Sequence, residues 1–235
     1  MRYAFYISPD ENDPLTATAE RWLGANPFTG ETHDLEPAGD FSAEELVALT
    51  ADPRRYGFHG TLKAPFALTP SVSESQLLDA FDAFAEKRVS FDIPKMVLGQ
   101  LGPFFALVPA ADCRELQDLA DETVRRFSAF RAPLSDADIA RRKPETLGSV
   151  MRSNLLEWGY PYVFESFRFH MTLTGPVPVE RQAAMRALLE QAFAAFIGKP
   201  LPVTSLALFT EPERGAPFTI HSLLPLGGTS KRKMA

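Results

Sequence analysis

The chain has 235 residues, of which 45% are hydrophobic and 23% are charged, a composition typical of one or two globular domains. Its formal net charge of −6 argues against a protein that binds long nucleic acids, since such proteins usually carry a basic surplus. Cys113 is the only cysteine, which excludes an intramolecular disulfide and a cysteine metal cluster.

The first quarter of the sequence predicts one strand followed by two helices. An apolar run at residues 3–7 predicts the strand, and apolar side chains at helical spacing predict a helix over 15–23. Residues 24–41 are rich in Gly, Pro, Asn and Asp, which indicates a loop. A capping box begins a second helix over 42–50, which we expect to end before Pro53.

A short motif, F-H-G-T-L-K-A-P, follows at residues 58–65 in surroundings that favour a strand. Side chains two residues apart on a strand share a face, so His59 and Thr61 should project together. Lys63 shares that face if the strand is regular and is a candidate phosphate ligand; the alternative is a plain surface lysine. Tyr56 is expected to lie in the core, or to line the site through a bulge.

The middle of the chain predicts helices and a strand pair, then a less regular segment. Another capping box leads into an amphipathic helix over 74–87, and residues 91–98 and 103–108 predict a strand pair. A helix follows over 112–130. Residues 131–165 are irregular apart from a predicted helix over 145–158. Arg141 belongs to a basic cluster there, which is either a solvated loop or a lid that covers an anion.

A second copy of the motif, F-H-M-T-L-T-G-P, occupies residues 169–176. His170 and Thr172 should share a face, as His59 and Thr61 do, and His170 lies 111 residues after His59. Arg168 falls on that face as well, and arginine is suited to bidentate phosphate binding. The alternative for Arg168 is an edge arginine paired with a nearby acid.

The remainder of the second half repeats the plan of the first half. Shifting the sequence by 111 residues lays helix 74–87 onto 185–198 and strand 91–98 onto 202–209, which indicates an internal duplication. A hairpin over 203–224 follows, and we expect residues 226–235 to be a flexible tail. His221 has no Thr two residues on, and with His33 it is expected to be structural or solvated.

We therefore predict an α+β fold and a single domain over residues 1–235. Repeats of roughly 1–102 and 103–225 are expected to form two pseudo-symmetric lobes, each an antiparallel sheet backed by helices. The lobes would face each other across a central cleft, to which each contributes one H-x-T motif. No stretch approaches transmembrane length and the N-terminal apolar run is too short for a signal peptide, so we expect a cytoplasmic protein without a membrane partner.

The twin motifs indicate chemistry at phosphorus. Imidazole titrates near neutral pH, so two histidines can divide the roles of general base and general acid. Hydroxyl groups beside them can donate hydrogen bonds to non-bridging phosphoryl oxygens. Duplication alone explains repeated Phe, Leu and Pro as core and turn residues, but explains repeated His and Thr less easily. The sequence does not decide which histidine is the acid.

The motifs resemble those of the two-histidine (2H) phosphoesterase superfamily, which includes RNA ligase and cyclic phosphodiesterase-type enzymes. The similar stretches are R-R-Y-G-F-H-G-T-L-K at 54–63, W-G-Y-P-Y at 158–162 and F-R-F-H-M-T-L-T-G at 167–175, and the resemblance covers nearly the whole chain. They are most similar to the branch encoded in bacterial phosphonate-utilisation operons. The resemblance implies hydrolysis of a small cyclic phosphate or phosphodiester, for example a ribose cyclic phosphate.

Two other functions stay open at this point. The chain could be a non-catalytic accessory protein of phosphonate metabolism that binds a phosphorylated ligand. It could also be a metallohydrolase with His59 and His170 as ligands, although both motifs lack carboxylates. We favour the phosphoesterase, and expect a small phosphorylated metabolite or nucleotide as the ligand, no long nucleic acid and no metal or cofactor. The sequence does not indicate an oligomeric state.

Overall fold

A computed structural model describes residues 1–227 and the backbone of Lys233 and Met234. Within these residues, eight strands form one antiparallel sheet in the order β10-β9-β8-β1-β2-β6-β5-β4, and β3 pairs with β7 separately. The strands are β1 Arg2–Ile7, β2 Gly60–Phe66, β3 Phe91–Ile93, β4 Met96–Leu101, β5 Phe104–Pro109, β6 Met171–Thr172, β7 Leu201–Val203, β8 Ser205–Glu211, β9 Thr219–Pro225 and β10 Lys233–Met234.

The helices are α1 Pro14–Leu23, α2 Ala43–Tyr56, α3 Glu74–Ala85, α4 Arg114–Ser128, α5 Asp136–Arg141, α6 Ser149–Trp158 and α7 Gln182–Ala192. Apolar side chains of α1, α3, α4 and α7 pack with one face of the sheet in the main core, where Phe5 and Leu107 are fully buried. Burying these apolar faces is the dominant favourable term in folding. The predicted α+β architecture of antiparallel sheet and helices is confirmed.

The opposite face of the sheet carries a second, smaller apolar cluster. Alternation along β1 sends Tyr3, Phe5 and Ile7 into the main core and turns Ala4 and Tyr6 to the other side. On that side they pack with apolar residues of β8 and β9 and with Phe218. We call the side that carries Tyr6 the site face.

The strand order corrects the prediction that each repeat builds its own sheet. Six strands are matched about the β2–β6 pair, with β8-β1-β2 on one side and β6-β5-β4 on the other, whereas β9 and β10 extend the first side only. However, β4 of the first repeat pairs with β5, and β8 of the second repeat pairs with β1. Each half of the sheet therefore mixes strands of both repeats. Self-similarity of a sequence records which elements recur, whereas strand pairing depends on long-range contacts that it does not encode.

Helix α2 does not end before Pro53 as predicted, but continues to Tyr56. A proline inside a helix leaves the carbonyl four residues earlier without its helical donor. Here that carbonyl is Leu49 O, and it accepts a hydrogen bond of 2.6 Å from Gly175 N, within the second copy of the motif. The helix thus tolerates Pro53 because a distant segment replaces the missing donor.

Two further predictions differ from the structure or lie partly beyond it. The helix predicted over 145–158 begins only at Ser149, after the short helix α5 and a 3-10 turn at Pro144–Thr146. The predicted tail over 226–235 lies largely outside the described residues. The described part comprises Leu226, which is buried, Gly227 and the backbone of β10, which pairs with β9.

Candidate functional site

The two H-x-T motifs lie side by side at the centre of the sheet. Strands β2 and β6 are antiparallel, with Gly60 opposite Met171. Extending this register by one residue in each direction places His59 opposite Thr172 and Thr61 opposite His170. Residues opposite each other in an antiparallel pair present their side chains on the same face, at a Cβ separation of about 4.5–5.5 Å. The register therefore brings the two histidines and two threonines into one group.

Gly60 is what allows the motifs to approach so closely. A Cβ atom at this position would lie 2.2 Å from the ring of Phe169, the residue before the second motif histidine. No side chain can occupy that space unless the ring moves. A glycine within a strand leaves room for a close neighbour, and at Gly60 that neighbour is Phe169.

Both histidine rings are held by their own backbone in the same way. His59 Nδ1 lies 2.8 Å from Gly57 O, and His170 Nδ1 lies 2.8 Å from Arg168 O. A carbonyl oxygen only accepts hydrogen bonds, so each Nδ1 must carry the proton and donate it. In the neutral ring, Nε2 is then the unprotonated, basic nitrogen. His59 Nε2 lies 3.2 Å from Thr61 Oγ1, so the two side chains project together as predicted.

The two histidines differ in what covers them. The ring of Tyr6 stacks on His59 with ring centroids 3.7 Å apart. Tyr6 lies opposite Thr61 on β1, and the residue that lies opposite Thr172 on β5 is Ala106. Burial lowers the pKa of His59 to about 4; the Gly57 carbonyl opposes this shift, and the charge of His170 adds to it. His59 is therefore neutral at pH 7.

The structure does not bring Lys63 to the histidines. A β-bulge at Leu62 shifts the β1–β2 register, so that Tyr6 lies opposite Thr61 whereas Phe5 lies opposite Lys63. Lys63 therefore turns to the core side, where its Nζ lies 3.5 Å from Val124 O of α4. Burial, together with the charge of Arg131, lowers the pKa of this amine to about 7. The expectation of a regular strand was wrong here because a bulge inserts one extra residue.

Tyr56 lies at the end of α2, and neither on the motif strand nor in the main core. Its ring stacks on Phe218 at 5.0 Å and lies 6.3 Å from the ring of His59. The guanidinium of Arg55 also lies over this ring, with its Cζ 4.1 Å from the Tyr56 ring centroid. Tyr56 thus lies beside His59, which agrees with the prediction that it could line the site. It is placed there by the end of α2, however, and not by a bulge in the motif strand.

The guanidinium groups of the two predicted arginine ligands are bound to partners other than the motif histidines. Arg168 is exposed, and its Nη1 donates to the carbonyls of Glu165 and Phe167 at 3.3 and 2.6 Å. Its backbone carbonyl, rather than its guanidinium, contacts His170. Arg141 is exposed and forms an ion pair with Asp138. The described contacts bring neither guanidinium group to a motif histidine.

Sequence reasoning missed a group of aromatic and basic residues beside His59. Tyr6 is fully buried, and its pKa is raised by burial and by Tyr56 and Tyr160, whereas the nearby charge of Arg2 opposes the shift. Tyr160 belongs to the irregular segment before the second motif, which therefore reaches the site face. The W-G-Y-P-Y stretch was a signal for Tyr160, but no sequence signal singles out Tyr6 or Arg2.

No group of three or more His, Cys, Asp or Glu side chains in residues 1–227 is placed to hold a metal ion. In the same part of the chain, no helix is both long enough and apolar enough to cross a membrane.

The sequence matches one family model, and it is similar to curated proteins along almost its whole length. Residues 61–219 match the model described as a protein of unknown function, DUF1045. Two relatives are named ribose 1,5-bisphosphate phosphokinase PhnN; one, from Janthinobacterium sp. (strain Marseille), is 34% identical over 98% of this chain. The other, from Laribacter hongkongensis (strain HLHK9), is 33% identical over 99% of this chain. The chain spans about half the length of these relatives, 52% and 54% respectively.

Solved structures with a similar chain path are more distant in sequence. TT0787 of Thermus thermophilus is 16% identical, with a TM-score of 0.47 over 98% of this chain and 100% of that chain. E. coli LigT complexed with ATP is 16% identical, with a TM-score of 0.42 over 96% of this chain and 97% of that chain. A structure described as a phosphoesterase is 13% identical, with a TM-score of 0.44 over the same shares of the two chains.

Proposed function

The chain belongs to the DUF1045 family, and we propose that it is a two-histidine phosphoesterase that cleaves a small cyclic phosphate or phosphodiester without a metal ion. The observation that carries this proposal is the antiparallel register at Gly60 and Met171, which groups both H-x-T motifs. The hydrogen bonds that fix each Nδ1 support it, because they leave each Nε2 available for proton transfer.

In the proposed reaction, His59 is the general base and His170 the general acid. His59 Nε2 takes a proton from water as the water oxygen forms a bond to phosphorus. The bond from phosphorus to the leaving oxygen breaks, and that oxygen takes the Nε2 proton of His170, which must enter the step doubly protonated, while its Nδ1 proton stays hydrogen-bonded to Arg168 O. Exchange of one proton with solvent at each ring restores the starting state. The lowered pKa of His59 supports its assignment as base, because a base must be neutral before the step.

Thr61 and Thr172 are proposed to donate hydrogen bonds to the non-bridging oxygens. For Thr61, the hydroxyl that lies 3.2 Å from His59 Nε2 would turn to the phosphate, which also frees Nε2 for the water. In a hydrolysis at phosphorus, these oxygens hold the charge that donors fixed in advance stabilise best. Each threonine lies opposite the histidine of the other motif in the extended register, so each half of the sheet supplies one donor and one proton-transfer group. Arg168 and Arg141 remain proposed phosphate ligands whose side chains would have to swing towards the motifs.

The curated relatives suggest the kind of substrate. Their name, ribose 1,5-bisphosphate phosphokinase, supports a phosphorylated ribose, for example a ribose cyclic phosphate, as the substrate of this chain. The sequence contains no G-x-x-x-x-G-K-[ST] loop of the kind that cradles nucleotide phosphates. We therefore propose hydrolysis, rather than phosphoryl transfer from a nucleotide, for this chain.

The test is turnover of a panel of cyclic phosphates in the presence of EDTA. The panel contains nucleoside 2′,3′-cyclic phosphates and ribose cyclic phosphates, assayed with the wild-type protein and with His59→Ala and His170→Ala. We expect turnover that survives EDTA and is lost in both variants. Loss of activity with EDTA would support the metallohydrolase instead. Binding of a panel member without any turnover would support the phosphate-binding accessory protein.

A further inference from the structure

An arginine-rich cavity of about 290 Å³ lies near the first motif, since Tyr56 in its lining is 6.3 Å from the His59 ring. Its lining contains neither motif histidine, so it is separate from the group that would handle the scissile phosphate. We call it the arginine cavity, and its polar lining side chains are Arg2, Arg55, Tyr56, Arg141, Arg142 and Arg214.

The arginine cavity has more positive charge than its carboxylates neutralise. Glu211 is fully buried and pairs with Arg2 and with Arg55, at 3.1 Å for Arg55. Asp138 pairs with Arg141 and with Arg214, at 2.9 Å for Arg214. Two carboxylates thus serve four of the five arginines, although the whole chain carries a net charge of −6. Such a local excess in an acidic protein is suited to an anionic ligand.

Arg142 is the cavity arginine that has no ion-pair partner among the described residues. Among the residues that the structure describes, it has no carboxylate within ion-pairing distance, and its Cζ lies 4.8 Å from the ring centroid of Tyr160. A smaller cavity of about 60 Å³ shares Arg142 with the first and adds Arg131 to the lining. The Nε atom of Arg131 is buried without a hydrogen-bond partner in the described residues. Both arginines can therefore donate to an anion without giving up an existing ion pair.

Tyrosine side chains connect the arginine cavity to the first motif. The Tyr56 ring contacts the Arg55 guanidinium at 4.1 Å and lies 6.3 Å from the His59 ring. Tyr6 stacks on the same histidine, and its hydroxyl is close enough to Arg2, Tyr56 and Tyr160 to interact with them electrostatically. His59 is therefore linked to Arg55 of the cavity by two ring contacts, one from His59 to Tyr56 and one from Tyr56 to Arg55. One small molecule can span this separation.

We infer that the arginine cavity binds a second phosphate group of the same small substrate whose scissile phosphate lies at His59 and His170. This inference rests on the proposed phosphoesterase function. Arginine forks bind phosphate oxygens bidentately, and five of them around one cavity provide more donors than a neutral sugar or base requires. The substrate class is therefore a cyclic phosphate, or phosphodiester, that carries an additional phosphate.

The test compares two substrates that differ by one phosphate group. We would measure kcat/KM for a ribose cyclic phosphate with and without a phosphate at its 5-position. The double variant Arg142→Gln/Arg214→Gln removes two exposed guanidinium groups of the cavity. Its control, Arg21→Gln/Arg114→Gln, removes two exposed guanidinium groups elsewhere. We expect the wild-type protein and the control to prefer the 5-phosphate by at least about tenfold, and the cavity variant to lose that preference.

Failure of this inference can be separated from failure of the proposed function. Equal kcat/KM for the two substrates in the wild-type protein, or a preference that survives in the cavity variant, would overturn the second phosphate site. If neither substrate is turned over, the proposed function fails and a binding measurement tests the site. Ribose 1,5-bisphosphate and ribose 1-phosphate, which differ in the 5-phosphate, are then titrated into the wild-type protein and the cavity variant. Tighter binding of the bisphosphate, lost in the variant, supports the site; equal binding overturns it. Tighter binding of an RNA oligonucleotide than of the bisphosphate would overturn the assignment to a small substrate.

Discussion

Tyr6 lies face to face with His59, with ring centroids 3.7 Å apart and ring planes inclined by 18°. The matched position in the other half of the sheet is occupied by Ala106. The β5 ring beside His170 is that of Phe104, which is tilted by 54° with centroids 5.9 Å apart, so it is not stacked face to face as Tyr6 is on His59. The three matched strands on each side of the β2–β6 pair thus hold two histidines in chemically different surroundings. We propose that the difference between Tyr6 and Ala106 makes His59 the general base and His170 the general acid.

Replacing Tyr6 by Ala should raise the pKa of His59 from about 4 towards the ordinary histidine value of about 6.5, because water then reaches the ring. The base must be neutral, so activity falls as the pH drops through this pKa. The acid limb of the kcat/KM profile should therefore move to higher pH, and NMR titration of His59 should show the same shift.

Tyr6→Phe keeps the ring and is the matched control, with an acid limb near that of the wild-type protein. Tyr6 is fully buried, and truncating a buried aromatic ring costs about 3–5 kcal/mol, so folding of each variant is checked first. Tyr6→Val replaces the alanine variant if that one does not fold. An unchanged acid limb in a folded variant would contradict the role of the stacked ring.

His59→Asn and His170→Asn should each lower kcat by about 10²- to 10⁴-fold, the usual contribution of a general acid or base. Asparagine retains a polar side chain of similar reach, so the fold should be preserved, which circular dichroism and thermal melting can verify. His33→Asn is the control, since His33 is exposed in the loop after α1. Near-wild-type activity of either motif variant would rule out the two-histidine mechanism.

Gly60→Ala should separate the two motifs, because the added Cβ would lie 2.2 Å from the Phe169 ring. We expect a large loss of activity together with a lower melting temperature. The second change Phe169→Leu removes the clashing ring atoms and should restore part of the stability. A single Gly60→Ala variant with wild-type activity and melting temperature would show that the strands do not approach as described.

Lys63→Met should make the protein more stable at pH 6 without loss of activity. The pKa of Lys63 is about 7 in the folded protein and 10.5 for a free lysine, so the unfolded chain binds more protons between these values. Wild-type stability should therefore rise with pH from about 7 to about 10.5 through this group, and the rise should be smaller in the variant. Urea unfolding at several pH values measures it.

The same variant tests where Lys63 points. Methionine fills a similar volume against α4 but cannot bind phosphate. Turnover near that of the wild-type protein agrees with the amine near Val124 O. A loss of tenfold or more in a folded Lys63→Met protein would return Lys63 to the substrate site.

Local sequence patterns predicted the features that depend on neighbours along the chain. The capping boxes at Ser42 and Ser73 begin helices α2 and α3 as expected, because their hydrogen bonds involve residues three positions apart. The spacing of His59 and Thr61 likewise predicted side chains that meet, since strand alternation is a local property.

Other predictions failed where a distant contact overrides the local pattern. Pro53 does not stop α2, because Gly175, more than a hundred residues away, donates to the carbonyl that the proline leaves free. Lys63 leaves the site face because β2 has one extra residue, Leu62, relative to β1, and no sequence signature marks this bulge.

The sequence by itself determined which residue types recur: two histidines and two threonines in matched motifs, with a glycine between the first pair. Only the tertiary structure decided how they are arranged. It pairs β2 with β6, places Tyr6 over His59 but Ala106 in the matched position, and gathers arginines from both chain ends and the middle into one cavity. The reason is physical: residue type and spacing fix local conformation, whereas strand pairing, burial and the resulting pKa depend on what distant segments bring into contact.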